Sequence, residues 1–208
     1  MQKKTSLLAL IGALGFAVAG CGSGKTATTT SSATSHGQRS PTAGVNPNAK
    51  EKSPPGDIPD STQFVRFPLP GGGCSVKVPE GWSRTGGGKR VTFTSNLNSV
   101  TIESRRATGP LTVSSARKTE APALAAKLSA FKLQSVEGVR RSGQRAVRIK
   151  YLAKSAPNAV TGKALTDAAE QYLLVHNGTE AVLTLAGPKG ADNVDPWRTV
   201  SDSVRWSA

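Results

Sequence analysis

The sequence predicts an α+β fold in which two helices pack on a mainly antiparallel sheet of about six to seven strands. Short runs of alternating apolar and polar residues fill most of 62–208, a length that can bury one ordinary core. A two-residue turn signal joins two of these runs, and two other segments carry apolar residues at helical spacing. Helices set beside an antiparallel sheet in this order are typical of an α+β domain.

The strand predictions rest on alternation with period two, which marks half-buried antiparallel strands. With turn residues between them, the alternating segments are 76–78, 91–94, 100–103, 133–140 and 145–152. The strongest local signal is Asn177-Gly178, the favoured pair for a type I′ turn, between 172–176 and 179–185. A two-residue loop sets His176 opposite Thr179, and so Leu174 opposite Ala181. Both faces of this hairpin are apolar, which predicts a central place in the sheet.

Two helices are predicted from apolar spacing. Leu124, Leu128 and Phe131 share one face of a helix over 121–131. A last helix follows, with Asp195 as its N-cap and Pro196 at its first position. Its apolar stripe is formed by Trp197, Val200 and Val204, and the helix is expected to continue to Trp206.

Residues 1–20 have the three parts of a secretory signal: a start with Lys3 and Lys4, an apolar run over 7–19, and small residues before a cleavage point. As a helix, that run spans about 20 Å, short of a hydrocarbon core about 30 Å thick. A permanent transmembrane helix is therefore the weaker interpretation.

Val18-Ala19-Gly20-Cys21 resembles the lipobox of bacterial lipoproteins. The resemblance implies cleavage between Gly20 and Cys21, diacylglycerol and palmitate-type acyl chains on Cys21, and attachment to the extracytoplasmic side of the cell membrane. Two or more chains give firm anchoring, which one chain does not. The alternative is a plain signal peptide with an accidental cysteine.

Residues 21–61 are rich in Ser, Thr, Gly, Pro and Ala and have almost no large apolar side chain. Such a segment cannot bury enough surface to offset its chain entropy, and we expect a disordered tether. The predicted organisation is therefore a signal at 1–20, a lipidated tether at 21–61 and one globular domain at 62–208.

The predicted domain is strongly basic, with 21 Lys and Arg against 10 Asp and Glu, a net charge of +11. Outside the cytoplasm, anionic headgroups or wall polymers are expected partners and nucleic acid is not. Candidate contacts with an anionic surface cluster on one predicted strand pair: Arg140, Arg141, Arg145, Arg148 and Lys150. The alternative is a solvated basic face without a dedicated partner.

Three short motifs mark the first strand, the second turn and the end of the last helix: Val78-Pro79-Glu80-Gly81-Trp82, Ser142-Gly143-Gln144-Arg145-Ala146 and Ser203-Val204-Arg205-Trp206. With the layout above, these motifs carry a resemblance to the PsbP-like fold of photosystem II extrinsic proteins and of small actinobacterial lipoproteins of the LpqN type. It implies an accessory role in the cell envelope, through a partner protein or an amphipathic ligand, and it supplies no catalytic residue.

No catalytic pattern is complete. S-x-x-K occurs at Ser115 and Ser129, but the K-T-G strand that accompanies it in penicillin-binding enzymes is missing. His176 is read as a turn-edge histidine and Cys74 as a buried structural thiol. With one free cysteine and one histidine in 62–208, neither a disulfide, a metal site nor a cofactor is expected.

The leading hypothesis is a monomeric, non-enzymatic envelope lipoprotein that binds a lipid-like ligand or a partner protein. The alternative is an enzyme that acts on an envelope polymer, which predicts a cleft with convergent carboxylates chosen from Glu80, Glu103, Glu137 and Glu170. A substrate-receiving component of a transporter is the weakest of the three, because it needs two lobes.

Overall fold

The computed structural model describes residues 55–69, 73–157 and 162–207. Cys21, the signal segment and most of the predicted tether lie outside these residues. Ten strands are found in the described part: β1 Phe64–Pro68, β2 Cys74–Pro79, β3 Ser83–Gly87, β4 Arg90–Ser95, β5 Asn98–Arg106, β6 Lys132–Arg141, β7 Gln144–Lys154, β8 Thr166–His176, β9 Thr179–Pro188 and β10 Arg205–Trp206. The helices are α1 Val113–Lys118, α2 Glu120–Lys127 and α3 Val194–Ser201.

Seven strands form one antiparallel sheet in the order β3-β4-β5-β9-β8-β7-β6, and β1-β2-β10 form a second, small sheet. The predicted α+β class with a mainly antiparallel sheet is confirmed. Among the described residues, no helix is long and apolar enough to cross a membrane.

The β8–β9 hairpin has the predicted turn and register. His176 pairs with Thr179 and Leu174 with Ala181. Asn177 and Gly178 both have positive φ, +46° and +73°, as a type I′ turn requires. β9 lies fourth among the seven strands, so the predicted central position is confirmed.

Each face of the large sheet has its own apolar core. On one face, Ile102 and Leu183 pack with Val76 of the small sheet and Val200 of α3. On the other face, Ile149 and Leu173 pack with Ala116 of α1. Two cores form because successive side chains of a strand point to opposite faces of the sheet, and in the central strands both sets are buried.

The helix predicted over 121–131 extends too far. α2 ends at Lys127, Leu128 is already extended at φ −108° and ψ 130°, and Ala130 has a φ of +52°. Phe131 nevertheless packs on the expected core, with its ring 5.3 Å from that of Tyr151. The apolar spacing predicted the buried face correctly, but the chain reaches it as a turn that leads into β6.

The last helix is also shorter than predicted, and Asp195 is not its N-cap. The N-cap is Asn193, and α3 ends at Ser201. Arg205 and Trp206 form β10 and pair with Ser75 and Cys74 of β2. Backbone pairing with an open strand edge thus replaces the last helical turn.

Residues just before 62 pack on the domain, although the sequence placed them in the tether. Gly56 and Ile58 are buried. The Ile58 amide donates to Asn193 Oδ1 at 2.8 Å, and Asn98 Nδ2 donates to the Gly56 carbonyl at 2.8 Å. These bonds hold the entering chain beside the start of α3.

Candidate functional site

A groove of about 450 Å³ lies between strands β6–β8 and α3, and we call it the α3 groove. Its charged and hydroxyl side chains include Glu137, Arg148, Lys150, Glu170 and Tyr172. Its apolar wall includes Leu152, Ala168, Val194 and Trp197. A groove that is polar on one part and apolar on another can hold an amphipathic molecule.

The register of the sheet brings the charged side chains of the α3 groove together. Arg148 on β7 lies opposite Glu137 on β6 and Tyr172 on β8, while Lys150 lies opposite Glu170. Arg148 Nη2 is 2.8 Å from Glu137 Oε2, and its Nη1 is 3.6 Å from Glu170 Oε1. Lys150 Nζ is 3.5 Å from the same Glu170 oxygen. The two cations and two carboxylates therefore form one connected network.

Tyr172 and Arg141 extend this network. The Tyr172 hydroxyl donates to Glu170 Oε2 at 2.5 Å and accepts from Arg141 Nη2 at 3.2 Å. The Arg141 guanidinium also lies over the Tyr172 ring, 5.0 Å from its centroid. Burial and the hydrogen bond to Glu170 raise the pKa of Tyr172, so the hydroxyl keeps its proton at neutral pH.

The network also favours charged carboxylate and guanidinium groups. The nearby Ser135 hydroxyl and the hydrogen bond from Arg148 hold the pKa of Glu137 below its ordinary value. Burial opposes the charge on Arg148, yet hydrogen bonds with Glu137 and Tyr172 and the charge of Glu170 raise its pKa overall. Glu137 is thus an ionised acceptor at neutral pH and not a proton donor.

Two N–H groups on the groove wall lack an acceptor within the described part of the chain. They are Arg148 Nε and Trp197 Nε1, and both atoms are buried. A buried donor left without a partner costs about 1–3 kcal/mol. Because both atoms are closed to solvent, a bound molecule can reach them only if neighbouring side chains move.

The predicted cation cluster divides into two groups. Arg148 and Lys150 share one face, as predicted, but they line the α3 groove and pair with carboxylates. Arg141 joins them through Tyr172. Arg140 and Arg145 lie opposite each other near the β6–β7 turn and are exposed.

Of the four carboxylates that the enzyme hypothesis named, two converge. Glu137 and Glu170 both contact Arg148 in the α3 groove. Glu103 pairs with Arg90 on β4, and Glu80 lies in the turn after β2. The described residues contain no cluster of three His, Cys, Asp or Glu side chains placed to hold a metal ion.

The other candidate residues named from the sequence, Ser115, His176 and Cys74, take part in local packing or capping. Ser115 completes a capping box with Thr112 at the start of α1. His176 stacks on Trp206 with the ring centroids 5.4 Å apart, at the end of β8. Cys74 is 1% exposed, and burial raises the pKa of its thiol. None of the three lines the α3 groove.

The sequence did not indicate a site role for Trp197 or Tyr172, because Trp197 belonged to the predicted stripe of the last helix and Tyr172 to the apolar hairpin. Opposite charges at Glu137 and Arg148 on adjacent predicted strands were an available signal. A two-residue turn at Ser142–Gly143 sets Arg141 opposite Gln144, and therefore Glu137 opposite Arg148.

Comparisons with known proteins give a likeness of fold. The Ran-binding protein Mog1p of Saccharomyces cerevisiae is 12% identical with a TM-score of 0.50, covering 70% of this chain and 96% of that one. PsbP of Synechocystis sp. PCC 6803 is 14% identical with a TM-score of 0.49, covering 70% and 93%. LpqN of Mycobacterium tuberculosis, involved in cell envelope biogenesis, is 15% identical with a TM-score of 0.43, covering 72% and 93%.

The chain spans about half, 48%, of the length of a similar protein from Bacteroides thetaiotaomicron, at 11% identity and a TM-score of 0.48. No family model matches the sequence, and no curated protein matches it significantly. At these identities the likeness extends to the fold alone.

Proposed function

We propose that this chain is a cell-envelope lipoprotein, anchored through Cys21 on the extracytoplasmic side of the membrane. Its folded domain is a non-catalytic binding module, and the α3 groove holds a lipid-like ligand. One observation carries the proposal: ionic groups and an apolar wall line the same groove beside α3.

The two parts of the groove suit the two parts of an amphiphile. Leu152, Ala168 and Val194 offer apolar surface to a chain. The cations Arg148 and Lys150 suit the oxygen atoms of a head group. The volume of about 450 Å³ falls within the range of roughly 300–1,000 Å³ that is common for ligand pockets.

The charges of the groove favour binding over catalysis. A general acid at neutral pH needs a raised pKa. The pKa of Glu137 is lowered, because Ser135 and Arg148 stabilise its ionised form. The convergence of Glu137 and Glu170 is the one observation that favours the enzyme alternative, but Arg148 lies between them as a shared ion-pair partner.

A partner protein is the other binding hypothesis. The yeast protein with the same fold is a Ran-binding protein, so the fold can serve recognition of a protein. For this chain, the mixed lining of the α3 groove favours a small amphiphile.

Calorimetric titration with decyl phosphate tests the proposal. The protein is the full chain carrying Cys21→Ser, so that no lipid is attached. We expect saturable binding that Ala168→Trp abolishes by filling the apolar wall. Ala126→Trp, a control at an exposed position on α2, leaves binding unchanged.

Decyltrimethylammonium serves as a second titrant with the same chain and the opposite head charge. Absence of saturable binding by both amphiphiles would overturn the proposal. Equal binding by the Ala168→Trp variant and the wild type would do the same.

A further inference from the structure

The antiparallel order brings three hairpin turns to one end of the seven-stranded sheet. These are the turns at 88–89, 142–143 and 177–178. β5 ends beside them, because Arg106 pairs with Thr179. β10 lies there as well, since Trp206 stacks on His176 and its Nε1 donates to Gln144 Oε1 at 2.5 Å. We call this the hairpin end.

The hairpin end carries five exposed cations from separate elements: Lys89, Arg106, Arg140, Arg145 and Arg205. None forms an ion pair with another residue in the described part of the chain. Lys89 and Arg106 line one hollow of about 320 Å³ beside Gly178. Arg140 and Arg145 are close in sequence, and the topology brings Lys89, Arg106 and Arg205 to the same end.

The acidic residues nearby are paired with other cations. Glu180 lies 2.6 Å from Arg105 Nε, and Glu103 pairs with Arg90. Asp202 lies 3.9 Å from Arg141 Nε. Arg105 also pairs with Glu120, so these three cations and four carboxylates sum to one negative charge. The five exposed cations therefore keep an excess of positive charge at this end.

Two of the five cations, Arg140 and Arg145, are direct cross-strand partners. Like charges at such a pair destabilise a sheet. Arg140 donates to the Gly143 carbonyl at 3.1 Å, and neither side chain has a carboxylate partner within the described residues. An external anion would turn this unfavourable pair into a favourable one.

We propose that the hairpin end docks on an anionic phospholipid surface. This inference rests on the membrane anchoring proposed above but does not depend on the α3 groove. Each cation close to such a surface favours partitioning by roughly fivefold. The attraction is screened beyond about 8 Å at physiological salt, so it requires direct approach of the charged end to the headgroups.

Vesicle sedimentation tests the docking surface, with the full chain carrying Cys21→Ser. The test variant adds Lys89→Gln, Arg106→Gln, Arg140→Gln and Arg145→Gln. The matched control instead adds Lys127→Gln, Lys132→Gln, Lys154→Gln and Lys189→Gln. All eight side chains are exposed, and the control set lies toward the opposite end of the sheet, where Lys132 pairs with Leu152 and Lys154 with Thr166.

Both variants lose four positive charges, so they differ only in where on the domain the charges are removed. On phosphatidylcholine vesicles that contain phosphatidylglycerol, we expect the test variant to lose partitioning roughly tenfold or more and the control to change less than about threefold. High salt should remove the difference. Vesicles of phosphatidylcholine alone should not distinguish the proteins.

Equal losses in the two variants, or no loss in the test variant, would overturn the assignment. Inorganic polyphosphate is added as a competitor. If it binds the hairpin end more tightly than the mixed vesicles do, the partner is a soluble polyanion and the bilayer assignment is wrong. Decyl phosphate titration of the α3 groove is a separate readout, so either proposal can fail alone.

Discussion

Arg148 is the residue on which the charges of the α3 groove depend. Its two Nη atoms contact Glu137 and Glu170, while its Nε has no acceptor in the described chain. Its side chain is 22% exposed and that of Glu170 is 13% exposed. Loss of the cation would leave a largely buried carboxylate without its guanidinium partner.

We expect Arg148→Met to lower the free energy of unfolding by about 2 kcal/mol at neutral pH, less than for a fully buried pair because solvent reaches both partners. The measurement is urea unfolding. Arg198→Met is the control: Arg198 is 62% exposed and its pair with Asp195 is fully on the surface, so its loss should matter little.

The pH dependence of the Arg148→Met variant follows from Glu137. The folded pKa of Glu137 lies below its ordinary value near 4.5, so its contribution to stability is present above that value and is lost as pH falls through the folded pKa. The difference in the free energy of unfolding between wild type and Arg148→Met should therefore become smaller as the pH falls. A difference that stays constant from neutral to acid pH would contradict stabilisation of the ionised Glu137 by Arg148.

Cys21 and Cys74 are expected to behave differently. Cys21→Ser should abolish lipid attachment, and the chain should lose the mass of the acyl groups. Cys74→Ser is the control, because Cys74 is a buried thiol that no lipid reaches. Intact-protein mass spectrometry checks both, and an unchanged mass in Cys21→Ser beyond the oxygen-for-sulfur exchange would contradict lipidation.

The cations were predictable one by one from the sequence, but their partners were only partly so. Alternation along β7 predicts that Arg148 and Lys150 share a face. Glu170 belongs to β8, and a long connection separates it from β7, so no turn fixes its register in advance. Its pairing with Lys150 depends on the apolar packing of the assembled sheet.

Among the elements, the register of the β8–β9 hairpin was predictable to the residue because its turn is local, but both strands extend beyond the predicted 172–176 and 179–185. The two helices were not predictable to their ends. Leu128 and Phe131 keep their apolar surroundings after α2 has ended. Arg205 and Trp206 leave the helical pattern because β2 offers an edge for pairing. In both cases tertiary contacts outweigh helix propensity.

Asn193 connects the start of α3 to the entering chain. Its Oδ1 accepts from the Ile58 amide, and its Nδ2 donates to the Gly56 carbonyl and to Asn98 Oδ1, both at 3.0 Å. We expect Asn193→Ala to destabilise the domain by about 2 kcal/mol, because buried polar groups lose their partner. Urea unfolding gives the energy, and amide hydrogen exchange at Ile58 reports release of the entering chain.

Asp192→Ala is the matched control for that substitution. Asp192 is the neighbouring residue and is exposed, and its backbone amide, which donates to Asp57 Oδ1 at 3.0 Å, is kept. It should change stability by less than about 0.5 kcal/mol. Equal effects of the two substitutions would show that Asn193 has no special role.

For the whole molecule, the geometry of the layers explains why a groove exists. Seven strands at about 4.8 Å spacing make a sheet roughly 30 Å wide. α3 has eight residues and is about 12 Å long. It can cover only part of one face together with the small sheet, and the α3 groove lies where that cover ends. A large sheet of seven strands agrees with the predicted six to seven. The second, small sheet and the short α3 that leaves the groove were not predictable.

Lipid extraction and mass spectrometry of the full chain, purified from the membranes of cells that produce it, test whether the α3 groove holds a lipid-like ligand. Wild type should carry an enriched amphiphile, Ala126→Trp should carry the same one, and Ala168→Trp should have lost it. Absence of any enriched amphiphile from the wild type, or its equal presence in Ala168→Trp, would contradict a lipid-like ligand in the α3 groove.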